Sequence, residues 1–276
     1  MTRTQAENEV LNRFVRWSDI YLNDQTNSLE DLQAYRLKRD HSLRVVSSAN
    51  RIVELSNKLT EETKMLVNIA ATLHDVGRFE QWKTTKNFSD VAEPRHPEIG
   101  AKMLARGLIK YFIPWTREYD EILILAVREH GSLKLPAGLT NQQETICNLL
   151  RDSDRADIFY QCSTDRDFSI LYRQDWGKTI LSDNVRTNFE KGETIRYEDV
   201  KSKLDMLALR LVLCNQMSCR ASVQYLLEDD SINRMVAKFK EQLRSEDGNL
   251  YYNEVEVEWL RKETIKRLEK AWRELE

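Results

Sequence analysis

Glycine and proline are scarce in this sequence, with 8 and 4 copies among 276 residues, and no proline follows Pro136. Because both residues interrupt regular structure, their scarcity predicts helices joined by short turns in the second half. Longer loops are predicted near residues 84–95 and 131–140. Alternating strand patterns are nearly absent, and the one candidate, NLYYNEVEVEWL, runs into a charged helical pattern. We therefore expect a single all-α domain over residues 1–276.

Long apolar runs, a charge surplus and paired cysteines are also lacking. Charges interrupt every apolar stretch well short of a membrane-spanning length, and the N-terminal MTRTQAENEVLNRF has no apolar signal-peptide segment. The net charge is −3, from 42 basic and 45 acidic residues, which does not favour nucleic acid or a membrane as a partner. Four cysteines without a CxxC pair are expected to be free thiols. We expect a cytoplasmic protein.

What the sequence does contain is a set of marked helix ends. In HPEIGAKMLARGLIKYF, Pro97 occupies a position tolerated in a first helical turn. The segment EYDEILILAVREHG is predicted to stop at Gly131. Thr140 and Gln143 have the spacing of a capping box, which predicts the start of a long helix that includes LLRDSDRADIF.

The four histidines of the chain stand at unusual positions. His41, His74 and His130 fall on the apolar faces of predicted helices, so we expect them to point inward at helix ends, and His96 begins a helix. Gly77 is predicted to end the helix that carries His74.

Two aspartates share these inward faces. Asp75 follows His74 directly, and burying its carboxylate without a partner would cost several kcal/mol. Asp154 shares a helix face with Leu150 and Ile158, and Asp152 is the alternative. Neutral imidazole and carboxylate are ligands for Zn, Fe, Mn or Ni, and a cation would compensate the burial of the whole set. A single inward histidine is more often a hydrogen-bonded core residue, but that explanation would have to hold at each position separately.

These residues and their surroundings resemble a known superfamily. The segment LHDVGRFEQ after an apolar helix, and RDSDRADIF about 80 residues later, are similar to the HD-domain superfamily of metal-dependent phosphohydrolases. Residues 35–165 carry the pattern. The resemblance implies an HD-domain helical bundle as the core and a helical extension over about 166–276. The relevant residues, in chain order, are His41, His74, Asp75, His96, His130 and Asp154.

The subtype implied is the one with two extra histidines between the HD pair and the last aspartate. HD-GYP proteins share this version, which is associated with a two-metal centre. The GYP signature itself is missing, so specificity for cyclic di-GMP is not implied. The segments HPEIGAKMLARGLI, AVREHGSLKLPAGL and LLRDSDRADIFYQ look more like a bacterial group of HD proteins described only as hydrolases.

Carried over by position, the resemblance implies a ligand set for two divalent ions, whose identity among Fe, Mn, Ni, Zn and Mg is open. His41, His74 and Asp154 would hold one ion, and His96 and His130 would hold the second. Asp75 would bridge them.

The reaction implied is hydrolysis of a phosphomonoester or phosphodiester, with nucleotides among the candidate substrates, by a hydroxide that bridges the metals. Asp75 and Arg78 are the expected catalytic residues, Arg78 as a phosphate contact with a surface arginine as the equal alternative. Two other functions use the same fold: a di-iron HD-fold oxygenase, and a regulatory module that senses a nucleotide. The metal ligands alone do not separate the hydrolase from the oxygenase.

Other residues near the pattern are expected to be structural. Lys38 and Arg95 are interpreted as solvated surface charges, Asp40 as a helix-start residue, Trp82 as a packing residue and Arg155 as a member of an ion pair.

The last helix has four apolar residues near helical spacing. They are expected to pack on their own domain, with a homodimer helix as the alternative. These residues are Trp259, Ile265, Leu268 and Trp272.

Overall fold

The computed structural model describes residues 1–90, 94–164, 180–243 and 252–275. These residues form helices and connecting segments without any strand, so the all-α prediction is confirmed. The chain divides into two compact units, Met1–Asp154 and Arg155–Glu276. The predicted single domain, with a core at about 35–165 and an extension at about 166–276, stays a prediction.

The first unit is built from α1 to α7 and the start of α8, which continues into the second unit. A π-helical turn, Leu104–Leu108, joins α5 to α6. The helices are α1 Arg3–Leu22, α2 Leu29–Leu55, α3 Glu61–Leu73, α4 Val76–Thr85, α5 His96–Met103, α6 Ile109–Phe112, α7 Asp120–Glu129 and α8 Asn141–Cys162.

The predicted helix ends are largely confirmed. Pro97 lies in the first turn of α5. Thr140 and Gln143 make both bonds of a capping box, with the Gln143 amide donating to Thr140 Oγ1 and the Thr140 amide donating to Gln143 Oε1. Helix α7 ends at Glu129, two residues before Gly131. The described parts of both predicted loops lie between helices.

A cluster of aromatic rings fixes α4 in the first unit. Phe79 is fully buried, and its ring lies 5.0 Å from that of Trp17 and 5.9 Å from that of Tyr35, which belong to α1 and α2. Trp82 is also buried, and its Nε1 donates to Asp31 Oδ1 at 2.8 Å, so the expected packing role is confirmed. These contacts hold the start of α4, and with it the adjacent His74–Asp75 pair.

Gly77 does not end a helix, so that prediction is wrong. Helix α3 stops at Leu73, and Gly77 lies in the first turn of α4. A Cβ at this position would lie 2.1 Å from the carbonyl oxygen of His96 and 2.6 Å from the amide nitrogen of Gly100. Glycine is therefore required because the backbones of α4 and α5 touch here.

In its described residues, the second unit contains the end of α8, five further helices and two short 3₁₀ turns. A core of buried apolar residues, including Phe189, Leu207 and Phe239, holds it together. The helices are α9 Asp183–Lys191, α10 Lys203–Leu211, α11 Arg220–Asp229, α12 Ser231–Gln242 and α13 Glu254–Glu274, and the turns are Tyr197–Asp199 and Val212–Gln216.

Helix α13 settles two expectations about the C-terminal segment. Residues 254–260 of the strand candidate are helical, so a strand there is wrong, and residues 249–251 lie outside the described residues. The four apolar residues of the last helix pack against the core of the second unit, as the first alternative expected. The homodimer stays a prediction. No helix in the described ranges has both the length and the apolar character needed to span a membrane.

Candidate metal centre

Four histidines and two aspartates of the first unit come together in two groups of three. The first triad is His41, His74 and Asp154, and the second triad is Asp75, His96 and His130. Within each triad, one nitrogen or oxygen atom from every residue lies within 4.8 Å of the others. The ligand-type residues that the sequence indicated are thus neighbours in space.

Helices α2, α5 and α8 and the ends of α3, α4 and α7 supply these side chains, with Asp154 inside α8. His74 and Asp75 form the junction between α3 and α4, His96 is the first residue of α5, and His130 follows the last residue of α7. His41 lies in the middle of α2, so the prediction that it stands at a helix end is wrong. Periodicity identified the inward face of α2 but not its length, because α2 continues for fourteen residues beyond His41 to Leu55.

The first triad is compact and mostly buried. His41 Nε2 lies 3.1 Å from Asp154 Oδ1 and 3.2 Å from His74 Nε2. His74 Nδ1 lies 2.8 Å from the carbonyl oxygen of Ala71. Because a carbonyl only accepts, this contact places the proton of neutral His74 on Nδ1 and leaves a lone pair on Nε2, pointing into the triad.

The second triad has the same arrangement with different outer partners. His96 Nε2 and His130 Nε2 lie 2.9 Å apart. His96 Nδ1 lies 2.7 Å from Asp90 Oδ2, and His130 Nδ1 lies 2.7 Å from the carbonyl oxygen of Val127. Both outer partners accept hydrogen bonds from Nδ1, so each ring in its neutral form presents the lone pair of Nε2 to the other.

Two lone pairs at 2.9 Å repel unless a positive charge lies beside them. A proton is one solution, but burial and, to a lesser degree, the neighbouring histidines His96 and His74 together lower the pKa of His130 to about 3. A metal ion is the other solution, because it accepts both lone pairs at once. The donor set of the second triad therefore fits a divalent ion.

Asp75 connects the triads through its two oxygen atoms. Oδ1 lies 3.2 Å from His96 Nε2, whereas Oδ2 lies 3.5 Å from His41 Nε2. The side chain is 3% exposed, so water does little to stabilise its charge. Burial raises the pKa of Asp75, but the Lys38 ammonium and the surrounding histidines outweigh burial and hold this pKa well below its ordinary value.

In the first triad, the pKa values of His74 and Asp154 are shifted towards the metal-binding forms of these side chains. Burial lowers the pKa of His74 and outweighs the attraction of the nearby carboxylates, so the ring is neutral at pH 7. Burial opposes ionisation of Asp154, but the hydrogen bond and charge of His41 hold the pKa of this carboxyl well below its ordinary range. Neutral imidazoles and ionised carboxylates are the states that bind metal ions.

The alternative ligand on α8 occupies a different position. Asp152 is fully buried and belongs to neither triad, whereas Asp154 Oδ1 contacts His41.

Arg78 lies next to the centre and is almost buried, with 13% of its side chain exposed. Its Nη1 donates to the carbonyl oxygen of Phe88 at 2.6 Å and to Gln81 Oε1 at 2.8 Å. Its Nη2 lies 3.0 Å from Asp90 Oδ2, and its Nε lies 3.7 Å from Asp75 Oδ1. The surface alternative is therefore wrong, and the role as a phosphate contact stays a prediction.

Several expectations about other charged residues change with the structure. Lys38 is not a solvated surface charge, because its Nζ lies 3.2 Å from Asp75 Oδ2. Asp40 lies inside α2 and does not start a helix. Arg95 precedes α5 and pairs with Glu98 at 2.8 Å, with its side chain 38% exposed. Arg155 Nη1 donates to the carbonyl oxygen of Gln216 at 3.2 Å, and its expected ion pair stays a prediction.

Asp90 is a residue of the centre that the sequence did not indicate. It accepts from His96 Nδ1, from the His96 amide at 3.0 Å and from Gln81 Nε2 at 3.0 Å. Asp90 thereby fixes the ring orientation of a second-triad histidine, as carboxylates commonly do behind metal ligands. It lies in a loop, where helical periodicity carries no information, and its spacing of six residues from His96 is the only available signal.

Comparison with known proteins identifies the part of the chain that carries this centre. Residues 39–160 match the sequence model of the HD domain. No match is found among curated proteins or solved structures. Residues 39–160 are therefore an HD domain, of the superfamily that generally comprises metal-dependent hydrolases and binds divalent ions. All six triad residues fall inside the matched segment. The subtype within the superfamily stays a prediction.

Proposed function

We propose that this protein is a metal-dependent phosphohydrolase with two divalent ions, one held by each triad and both held by Asp75. The observation that carries the proposal is that the two oxygens of Asp75 face different triads, at 3.2 Å from His96 Nε2 and 3.5 Å from His41 Nε2. A bridging carboxylate needs this orientation. The substrate proposed is a small phosphomonoester or phosphodiester, with nucleotides among the candidates.

The protein's own residues would prepare the centre in three ways. The backbone carbonyls of Ala71 and Val127, together with Asp90, select the tautomers that leave Nε2 free to bind. Burial keeps the imidazoles of His74 and His130 neutral. The helices and their termini would fix the ligand positions before any ion arrives. Divalent ions held there would lower the pKa of water and stabilise negative charge that develops on phosphorus.

The first test is the metal content of the chain, measured by inductively coupled plasma mass spectrometry after purification without chelator and after reconstitution with Fe(II) or Mn(II). We expect two ions per chain in the wild type. His130→Gln removes a ligand of the second triad only, and is expected to leave one ion. One ion in the wild type, unchanged in His130→Gln, would refute the dinuclear proposal.

A matched pair on α8 tests the first triad. Asp154→Asn removes a triad carboxylate and is expected to lose the ion of the first triad. Asp152→Asn removes a buried carboxylate outside both triads, and is expected to retain two ions. Equal metal loss in both variants would show that α8 has been disturbed as a whole, and would contradict the assignment of Asp154.

The reaction is tested on the metal-loaded protein with a panel of phosphomonoesters and phosphodiesters. Phosphate release that requires the metals supports hydrolysis. Oxygen uptake by the iron form, without phosphate release, would replace the hydrolase with the di-iron oxygenase. Tight nucleotide binding without turnover would replace it with the regulatory module.

A further inference from the structure

Lys38 lies one helical turn before His41 on α2, beside the candidate metal centre. Its ammonium nitrogen is 3.2 Å from Asp75 Oδ2, and its side chain is 17% exposed. The same nitrogen lies 5.1 Å from the centre of the Phe88 ring, a distance at which a ring face attracts a cation. Lys38 is thus placed between a buried carboxylate and a partly exposed aromatic ring.

The hydrogen-bond donors of Lys38 and Arg78 are used differently. Both Nη atoms of Arg78 contact protein groups of the 81–90 segment, whereas its buried Nε lies 3.7 Å from Asp75 Oδ1 without a hydrogen bond. An ammonium has three N–H donors. Among the described residues, Asp75 Oδ2 is the one group that accepts a hydrogen bond from the Lys38 ammonium. Within the described part of the chain, Lys38 therefore keeps two free donors at the edge of the centre, whereas the terminal nitrogens of Arg78 are engaged and only its buried Nε is without a partner.

Lys38 lies on the side of the metal centre that holds the first triad. Its partner Oδ2 is the Asp75 oxygen that faces His41 and His74, so the ammonium lies at the edge of the first triad. An additional positive charge there would attract an anion, because the two ligand carboxylates balance only half the charge of two divalent ions. A phosphate group has several oxygens and can contact metal ions and an ammonium at once.

We infer that Lys38 is the residue that binds a non-reacting oxygen of the substrate phosphate, on the side of the first triad. Arg78 instead positions the 88–90 segment, and through Asp90 it orients His96. This inference rests on the proposed function, and it moves the phosphate contact from Arg78 to Lys38. A residue that only positioned Asp75 would affect the metals first, whereas a substrate contact affects anion binding and leaves the metals in place.

The experiment uses the metal-loaded full-length protein and inorganic phosphate as the probe. Phosphate binding is measured by isothermal titration calorimetry, and metal content is measured on the same samples. Lys38→Met keeps the apolar stem and removes the charge. We expect this variant to retain two ions per chain and to bind phosphate about 10-fold more weakly or worse, since a hydrogen bond to a charged group is lost.

Three further variants make the comparison specific. Lys38→Arg keeps the positive charge and is expected to bind phosphate more tightly than Lys38→Met. Lys83→Met removes an exposed lysine of α4 and is expected to bind phosphate like the wild type. Arg78→Met is expected to lower the metal content, because it releases Asp90 and with it His96.

The outcomes separate this inference from the proposed function. A wild type without metal refutes both. Two ions in the wild type, with phosphate affinity equal in Lys38→Met and wild type, refute the role of Lys38 and leave the dinuclear proposal standing. Metal loss in Lys38→Met would assign Lys38 to positioning Asp75, and would also overturn the inference.

Discussion

Replacing Gly77 with alanine should remove the ion of the second triad and leave the first triad occupied. The new Cβ would lie 2.1 Å from the carbonyl oxygen of His96 and 2.6 Å from the amide nitrogen of Gly100. Real Cβ contacts are essentially never shorter than 3.0 Å, so the two backbones must separate by about 0.9 Å. Both neighbours are backbone atoms and cannot rotate away.

The displacement should fall mainly on α5. Helix α4 is fixed by the buried ring of Phe79, whereas α5 follows a loop and carries His96 at its first residue. Metal–ligand distances tolerate roughly 0.2 Å, so a shift of His96 several times larger removes it as a ligand. His41, His74 and Asp154 lie on other helices and keep their positions.

The same substitution should lower stability only moderately. Overpacking of this kind costs about 1–3 kcal/mol, and replacing glycine with alanine inside a helix recovers about 1 kcal/mol. Metal content and the midpoint of thermal unfolding measure the two effects. Val10→Ala is the control, because it removes buried side-chain volume from α1 without touching α5. It should lower the unfolding midpoint yet retain two ions. Two ions in Gly77→Ala would refute the proposed link between the α4–α5 contact and the second triad.

Two further predictions concern the outer partners and protonation. Asp90→Asn should weaken metal binding at the second triad by about 10- to 100-fold, because the His96 ring loses its carboxylate partner. Competition with a chelator measures the affinity for the metal, and an unchanged affinity would contradict the orienting role of Asp90. In the protein stripped of metal by a chelator, the free energy of unfolding should fall as the pH decreases from about 6.5 towards 3. In this range His130 binds a proton in the unfolded chain but not in the folded protein, where its pKa is lowered to about 3. Urea unfolding between pH 4 and 7 should show a smaller pH dependence in His130→Gln, and an equal dependence would contradict the assignment.

Much of the local structure could be predicted from the sequence. Thr140 and Gln143 predict the start of α8, and Pro97 predicts the start of α5, because capping and proline effects act over a few residues. The inward position of Asp154 followed from its helix face. The six ligand-type residues could be selected because histidine is rare here and apolar periodicity gives each residue a direction.

The remainder depends on contacts between elements that are distant in the chain. Gly77 was misread because a close approach of α5 leaves no local signature in α4. Lys38 and Asp90 are ordinary charged residues, and only the folded arrangement brings the first to Asp75 and the second to His96. Composition and periodicity do not report such pairs.

The hydrogen bonds from His74 and His130 to carbonyl oxygens three residues earlier affect how this centre can be dissected. The last carbonyls of a helix need partners that the helix does not supply, and each of these imidazoles serves one such group at the end of α3 or α7. Alanine at either position would therefore damage a helix terminus as well as remove a ligand, and would exaggerate the importance of the metal for folding. Glutamine can still donate to the carbonyl, which makes it the fairer substitution. This double role of His74 and His130 also constrains evolution, since a homologue that lost the metal would need another hydrogen-bond donor at the ends of these two helices.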